Sequence, residues 1–494
     1  MSLKTTAITV AFGDGIGPEI MNSVLWILKE AEAKLAIETI EVGEELYKKG
    51  HTSGISSDAW ELIDRTAILL KAPITTPQGG GYKSLNVTLR KTLGLYANIR
   101  PTVSYYPFVD TMHPKINLVI VRENEEDLYA GIEYRQTKDM YESLKLISRT
   151  GSARIIEFAF NYAMKNNRSK LACFSKDNIM KFSDGIFHKM FDEIKIKYPN
   201  IQSSHHIIDI ATADLSSTPE KFDVIVTSNL YGDIISDVAA KISGSVGLAG
   251  SANVGDKYSM FEAVHGSAPD IANQDIANPS GLLNAAIMML VHIGQVQVAS
   301  NIENAWKKTI EDGIHTKDIY KETISKKKVG TKEFAKSVIE RLGEKPKQLA
   351  EANYPNHNEI NDVDKKASSI ISQNTINIDT KKELVGVDVF LDIDVISAQD
   401  IADRILKIDL FDFKLQTIAT KGLKLWPSDH KIQSFPISDH WCCRFMSNVQ
   451  NESITHKSIT LLLKSLNDHG FDFIKIENLY KFDGVNGFTL LQGE

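Results

Sequence analysis

Through residues 1 to about 340, short apolar runs alternate with stretches whose apolar positions recur every three and four residues. The first pattern predicts buried strands and the second amphipathic helices. Their alternation predicts an α/β region. Strands are expected at 8–13, 67–72, 116–121, 170–174 and 224–227. Helices are expected at 18–33, 154–165 and 281–292, with Pro18 suited to a first helical turn. From 343 to 382 large apolar residues thin out and Lys, Asn, Asp, Ser and Gln dominate, which predicts a linker. Order resumes with a strand at 385–392, a helix at 398–407, strands at 413–419 and 441–446, a helix at 458–467 and a strand at 471–476. This β-α-β-β-α-β order is the ferredoxin-like plan of an α+β domain.

Bulk properties narrow the picture. A chain of 494 residues exceeds one core and predicts two or three domains. A formal charge of −7 argues against nucleic acid and anionic membranes as partners. The three cysteines, Cys173, Cys442 and Cys443, form neither a disulfide framework nor a CxxC metal site. With no signal-like start and no membrane-length apolar run, a cytoplasmic protein is expected. Alternation along a strand throws Cys442 and Cys443 to opposite faces, so packing rather than a metal is expected there.

The most informative segment is Tyr231-Gly232-Asp233-Ile234-Ile235-Ser236-Asp237. The two aspartates stand i, i+4 on one helical face, just past a buried strand. Paired carboxylates repel unless a cation lies between them, and open oxygen ligands suit Mg²⁺ or Mn²⁺. The competing account is a solvated first turn favoured by the helix dipole. A second segment runs from Thr75 through Gly79-Gly80-Gly81 to Lys91. Ser84 is a candidate N-cap, and Asn86 and Arg90 share a face of the helix carrying Leu85, Leu89 and Leu93. With Arg100 before Pro101 and Arg122 at a strand end, three guanidinium groups would clamp several carboxylates if they meet. A third segment, Phe261 to Pro279, is dense in Gly, Ala, Pro and Asn and suits a flat ring and ribose. An acidic residue there would favour free ribose hydroxyls over a 2′-phosphate. Gly13-Asp14-Gly15-Ile16-Gly17 is not GxGxxG, so no Rossmann site is expected.

Together these segments resemble the decarboxylating β-hydroxyacid dehydrogenases of the isocitrate/isopropylmalate dehydrogenase family. The match runs over roughly residues 1–340. Further motifs in order are GDGIGPE near the N-terminus, Arg122-Glu123-Asn124 with Tyr129-Ala130-Gly131, and Lys176-Asp177-Asn178-Ile179-Met180-Lys181. The C-terminal part resembles the extra domain of the longer bacterial members.

The resemblance implies that family's two-domain α/β fold, not a Rossmann fold, over residues 1–342. The large domain would span about 1–100 and 245–342, and the small domain about 101–244. A linker (343–382) and an α+β ferredoxin-like domain (383–494) would follow. It implies a homodimer with shared active sites, a tricarboxylate substrate, NAD or NADP, and Mg²⁺ or Mn²⁺. Asp233 and Asp237 would bind the metal, completed by Asp209 from the other subunit. Thr76, Ser84, Asn86, Arg90, Arg100 and Arg122 would hold carboxylates, and Tyr129 and the other subunit's Lys176 would handle protons. His265, Gly266, Asp270, Ile271 and Asn278 would line the adenosine pocket, with Thr76 and Asn178 nearer the nicotinamide.

The implied reaction is oxidative decarboxylation of isocitrate, since Ser84 and Asn86 stand where isopropylmalate enzymes place apolar residues. Homoisocitrate differs by one methylene and remains an alternative, as do 3-isopropylmalate and a non-catalytic regulatory subunit. Asp270-Ile271 favours NAD, because NADP-using members commonly carry Lys-Tyr there and no arginine or tyrosine pair follows His315-Thr316. The long bacterial members are nevertheless often NADP enzymes.

Overall fold

The computed structural model describes residues 5–51, 53–75, 84–354, 380–394, 397–427, 438–448 and 454–491. They form two compact units, Met1–Ala130 with Lys145–Gln373, and Gly131–Leu144 with Asn374–Glu494.

The first unit is built on a ten-stranded sheet. Its strands are β1 (Thr6–Ala11), β2 (Leu35–Ile40), β3 (Ile68–Lys71), β4 (Ala97–Val103), β5 (Asn117–Glu123), β6 (Lys170–Ser175), β7 (Gln202–Ile207), β8 (Val224–Thr227), β9 (Gly250–Val254) and β10 (Ser259–Ala263). The spatial order is β2-β1-β3-β10-β9-β4-β5-β8-β6-β7. β2, β1, β3 and β10 run parallel, as do β5, β8, β6 and β7. Antiparallel β9 and β4 join the two blocks, which therefore point opposite ways. This mixed, centrally antiparallel sheet departs from the all-parallel Rossmann plan, as expected.

Helices cover both faces, which is why β3, β8 and β10 are buried throughout. The helices that carry the argument are α1 (Gly17–Glu30), α2 (Leu85–Thr92), α3 (Arg149–Lys165), α4 (Ser183–Lys195), α5 (Ile208–Ser217), α6 (Asn229–Ile242) and α7 (Ser280–His292). Helix α3 begins five residues earlier than expected because Ser148 caps it, accepting from the Gly151 amide. Ser84 does occupy the N-cap position of α2, but its side chain makes no capping bond.

The start of the stretch read as a linker is held in place. The amides of Lys347, Gln348 and Leu349 donate to Glu311, and Asn304 bonds both backbone groups of Ala352. Residues 355–379 lie outside the described residues.

In the second unit, β11 (Lys382–Asp392), β12 (Phe413–Thr420), β13 (Leu423–Trp426), β14 (His440–Ser447), β15 (Phe473–Phe482) and β16 (Val485–Asn486) form one sheet in the order β13-β12-β14-β11-β15-β16. Every pairing is antiparallel. Helices α8 (Ala398–Ile405) and α9 (His456–Asp468) pack on the face bearing Val387, Val389, Leu391 and Cys443. The four central strands and two helices are the ferredoxin-like plan. Cys443 is in the core and Cys442 faces away, as the alternation requires. Opposite the core face, Arg444 and Asp388 form a buried two-pronged pair at 2.8 and 2.9 Å.

Candidate active site

The loop and helix after β8 carry the paired aspartates. Glycine at 232 is forced by contact, since a Cβ there would fall 2.6 Å from the Arg122 side chain. That close approach lets α6 lie against the end of β5. Arg122 is fully buried and donates through Nε and Nη2 to Asn229 Oδ1 at 3.0 and 2.7 Å. Its Nη1 donates to Asp233. Arg100 on β4 donates to Asn98 Oδ1 at 2.7 Å and Ser236 Oγ at 2.6 Å. Its Nη1 also lies 3.2 Å from Asp233 and 3.8 Å from Asp237. Tyr129 completes the group, its hydroxyl donating to Asp233 while the Arg122 guanidinium stacks 4.8 Å from its ring centre.

Asp233 and Asp237 thus share a helical face, but they are not bare. Burial opposes ionisation of Asp233, yet Arg122, Arg100 and the Tyr129 hydroxyl hold its carboxyl below the usual range. Asp237 is pushed up by burial and by Asp233, against the pull of Arg100. Burial and the nearby Arg100 and Arg90 charges push the Arg122 guanidinium down.

Arg90 on α2 reaches the same region from the other side. Its Nη2 donates to Glu262 Oε1 at 3.0 Å, and Lys71 Nζ lies 2.7 Å from Glu262 Oε2. Burial disfavours the Glu262 charge, but Lys71 and Arg90 hold its carboxyl well below the usual range. Asn253 on β9 links the arginines. Its amide donates to Glu262 at 2.9 Å and its oxygen accepts from Asn98 at 3.0 Å and Asn124 at 3.1 Å. Arg90, Arg100 and Arg122 therefore meet, backed by a buried polar lattice that sequence reasoning did not find. Of these, only Lys71 lies in a run that reads as a strand; Glu262 stands at the start of the segment read for a ring and ribose, and Asn98 and Asn253 fall in no predicted strand. A lysine inside the 67–72 apolar run was the available signal.

Several buried atoms in this unit have no hydrogen-bond partner among the described residues. Asn86 Oδ1, Arg90 Nε and His265 Nε2 are three of them. Unsatisfied buried groups are costly and mark where a ligand would supply the missing bonds. Thr76 lies outside the described residues. Lys176 Nζ pairs with Asp209 Oδ1 at 2.8 Å in the same chain. Asp209 does not join Asp233 and Asp237 within one chain, since no grouping of three described metal-type ligands contains them. Asn178 is exposed.

A cavity of about 640 Å³ adjoins the Phe261–Pro279 segment. His265, Gly266, Ile271 and Asn278 line it, with Ile16, Lys317 and Asp318. Exposed Asp270 is not among the lining residues. Asn278 is fixed by donating to Asp318 at 3.0 Å, and Asp318 also accepts from Ser245 and Thr316 at 2.6 Å. The GDGIG segment turns out to be a support. Gly15 has φ +59° and a Cβ there would strike the Ser267 carbonyl, while the Ile16 amide donates to that carbonyl at 2.9 Å. Lys317 directly follows His315-Thr316, a lysine where the expected 2′-phosphate contacts are arginine or tyrosine.

Comparison with known proteins identifies the family. Residues 7–338 match the isocitrate/isopropylmalate dehydrogenase family, and residues 382–494 match the bacterial isocitrate dehydrogenase C-terminal domain. The chain is 66% identical over 491 residues to a Rickettsia bellii protein named isocitrate dehydrogenase (NADP), covering 99% of each. A Thermus thermophilus protein of the same name is 38% identical over 496 residues, covering 99% of this chain and 96% of that one. The crystal structure of the TT0538 protein from Thermus thermophilus superposes with a TM-score of 0.90 at 36% identity, covering 99% of this chain and 96% of that one. On the family match and these full-length likenesses, the chain belongs to the isocitrate/isopropylmalate dehydrogenase family.

Proposed function

We propose that this protein oxidises and decarboxylates isocitrate to 2-oxoglutarate and CO₂, reducing a nicotinamide dinucleotide. The observation that carries this reading is the convergence of Arg90, Arg100 and Arg122 beside Asp233 and Asp237. Three guanidinium groups suit a tricarboxylate, and a hydroxyl at Ser84 with an amide at Asn86 suits a third carboxylate better than an isopropyl group.

The residues present fit a divalent cation and a dinucleotide. Asp233 and Asp237 offer hard oxygen ligands, and unpaired His265 Nε2 sits at the small-residue cavity. A cation held by Asp233 and Asp237 would supply Lewis-acid stabilisation of negative charge on the substrate oxygen, and a nicotinamide bound near His265 would supply the hydride acceptor. The arginines bind and orient the carboxylates. Lys176 Nζ takes the hydroxyl proton, and after CO₂ leaves, the Tyr129 hydroxyl delivers a proton to the vacated carbon. In this reading Lys176 and Asp209 act across a homodimer, and in one chain they neutralise each other. Exposed Ile210 on α5 and Ile234 on α6, helices packed together, support such an interface.

Dinucleotide choice rests on two opposing signals. Asp270-Ile271 speaks for NAD, and the relatives named for NADP speak against it. We favour NADP, because Asp270 does not line the cavity and Lys317 does, supplying a cation for a 2′-phosphate. The substrate assignment is tested by comparing kcat/KM for isocitrate, homoisocitrate and 3-isopropylmalate. Isocitrate is expected to lead, and a lead by either other acid overturns the assignment.

A further inference from the structure

A second group of ligand-type side chains lies at the far edge of the sheet in the first unit. Asp177 follows β6, His188 is on α4 and His205 is on β7. His188 Nδ1 lies 2.7 Å from Asp177 Oδ2, and His205 Nε2 lies 3.7 Å from Asp177 Oδ1. The two imidazoles stack with centroids 3.5 Å apart and planes 13° from parallel. All three side chains are 17–26% exposed, so the group is shielded but open to an ion. Among the described residues it is the one grouping of three His, Cys, Asp or Glu side chains close enough to share a metal.

Electrostatics favours the metal-binding form of His205 and Asp177. Face-to-face imidazoles cannot both carry a proton's charge cheaply, and burial together with His188 holds His205 below its usual range. Burial opposes the Asp177 charge, but the bond from His188 and the nearby His205 outweigh it. Neutral imidazoles and an ionised carboxylate are what metal binding requires. A supporting group is also in place, because Asp192 Oδ2 lies 3.5 Å from His188 Nε2, on the ring edge away from Asp177. A carboxylate behind a ligating histidine fixes the ring and raises its basicity.

We infer that Asp177, His188 and His205 form a binding site for a borderline transition-metal ion of the Zn²⁺ kind. Two imidazoles and one carboxylate select Zn²⁺ over Mg²⁺, which prefers oxygen alone. A tetrahedral ion about 2.0–2.1 Å from each donor needs donors about 3.4 Å apart. His188 Nδ1 lies 2.7 Å from one Asp177 oxygen and His205 Nε2 lies 3.7 Å from the other, with one donor atom from each of the three side chains within 4.8 Å of the others. Binding therefore requires His188 Nδ1 and Asp177 Oδ2 to part by about 0.7 Å, a tilt of the rings out of their stack, and release of the 2.8 Å bond between Ser175 Oγ and His205 Nε2. Water completes the fourth position. The ion would tie β6, α4 and β7 together beside Lys176, away from the oxygen ligands of Asp233 and Asp237.

The test uses the full chain with saturating Mg²⁺ to occupy the carboxylate site. Zn²⁺ uptake is followed by calorimetry and Co²⁺ uptake by visible absorption. The wild type is expected to bind one Zn²⁺ per chain and to give the strong bands of four-coordinate Co²⁺. His205→Asn and His188→Gln, checked for folding by circular dichroism, should lose both signals. Asp192→Asn should weaken Zn²⁺ binding about 10- to 100-fold. Equal uptake by wild type and both histidine variants overturns the inference, as does no uptake by a folded wild type; either leaves the cluster as hydrogen-bonded packing between α4 and the sheet.

Discussion

Arg90 donates to Glu262 at 3.0 Å with both side chains buried, so a carboxylate holds from behind the guanidinium proposed to face the substrate. Glu262 also holds Lys71, and among the described residues it is the one anion paired with both cations. Glu262→Gln would leave two buried positive charges facing a neutral amide. A loss of about 3–5 kcal/mol is expected, together with a raised KM for isocitrate. Because the Glu262 carboxyl is held well below its usual range, its contribution is complete above about pH 4.3 and is given up only as pH falls further. Denaturant midpoints of the two proteins measured from pH 4 to 8 check this. Equal midpoints would sink it.

Glu123 carries the opposite sign. Burial, then the nearby Glu126 and Glu125 charges, push its carboxyl from 4.5 up to about 7, against the backbone amides of Glu125 and Glu126. The unfolded chain therefore loses this proton at lower pH than the folded one, and stability falls as pH rises from about 4.5 to 7. The gap corresponds to about 3 kcal/mol at 1.36 kcal/mol per pH unit. Glu123→Gln mimics the protonated acid and should remove that decline. A pH profile parallel to wild type would refute the assignment.

Tyr129 offers a cleaner catalytic test. Its hydroxyl touches Asp233, while its ring is held by Arg122, so Tyr129→Phe keeps the packing and removes the proton. We expect kcat to fall about 10²- to 10⁴-fold with KM for isocitrate changed only a few-fold. A matching rise in KM with kcat intact would make Tyr129 a binding residue instead.

Lys317 is the cation at the cavity of His265 and Asn278. Lys317→Ala should lower kcat/KM with NADP about 10- to 100-fold, the worth of one charge-assisted contact, and leave NAD nearly unaffected. Equal losses with both dinucleotides would remove Lys317 from 2′-phosphate recognition.

What the chain revealed by pattern followed from periodicity and motif. The apolar runs at β3, β5, β6 and β8 and the paired aspartates of α6 were legible because burial on both faces leaves an uninterrupted hydrophobic signature. Strand β7, Gln-Ser-Ser-His-His-Ile, was not, because an edge strand needs little apolar content. Strands β9 and β10 hid inside small-residue segments. The supporting lattice of Lys71, Asn98, Asn253 and Glu262 was illegible for a different reason. Its members come from four strands adjacent only through the β3-β10-β9-β4 order, which no local pattern encodes. Asp177, His188 and His205 likewise come together only through the packing of α4 on β6 and β7.

The most direct measurement is the initial rate of NADPH formation from isocitrate with Mg²⁺, with chelator, and with Mg²⁺ restored. The account predicts turnover that chelator abolishes and Mg²⁺ restores, with Asp237→Asn requiring much more Mg²⁺ for the same rate. Turnover indifferent to chelator, or an Asp237→Asn variant with unchanged Mg²⁺ dependence, would contradict the assignment of Asp233 and Asp237 as the metal-binding pair.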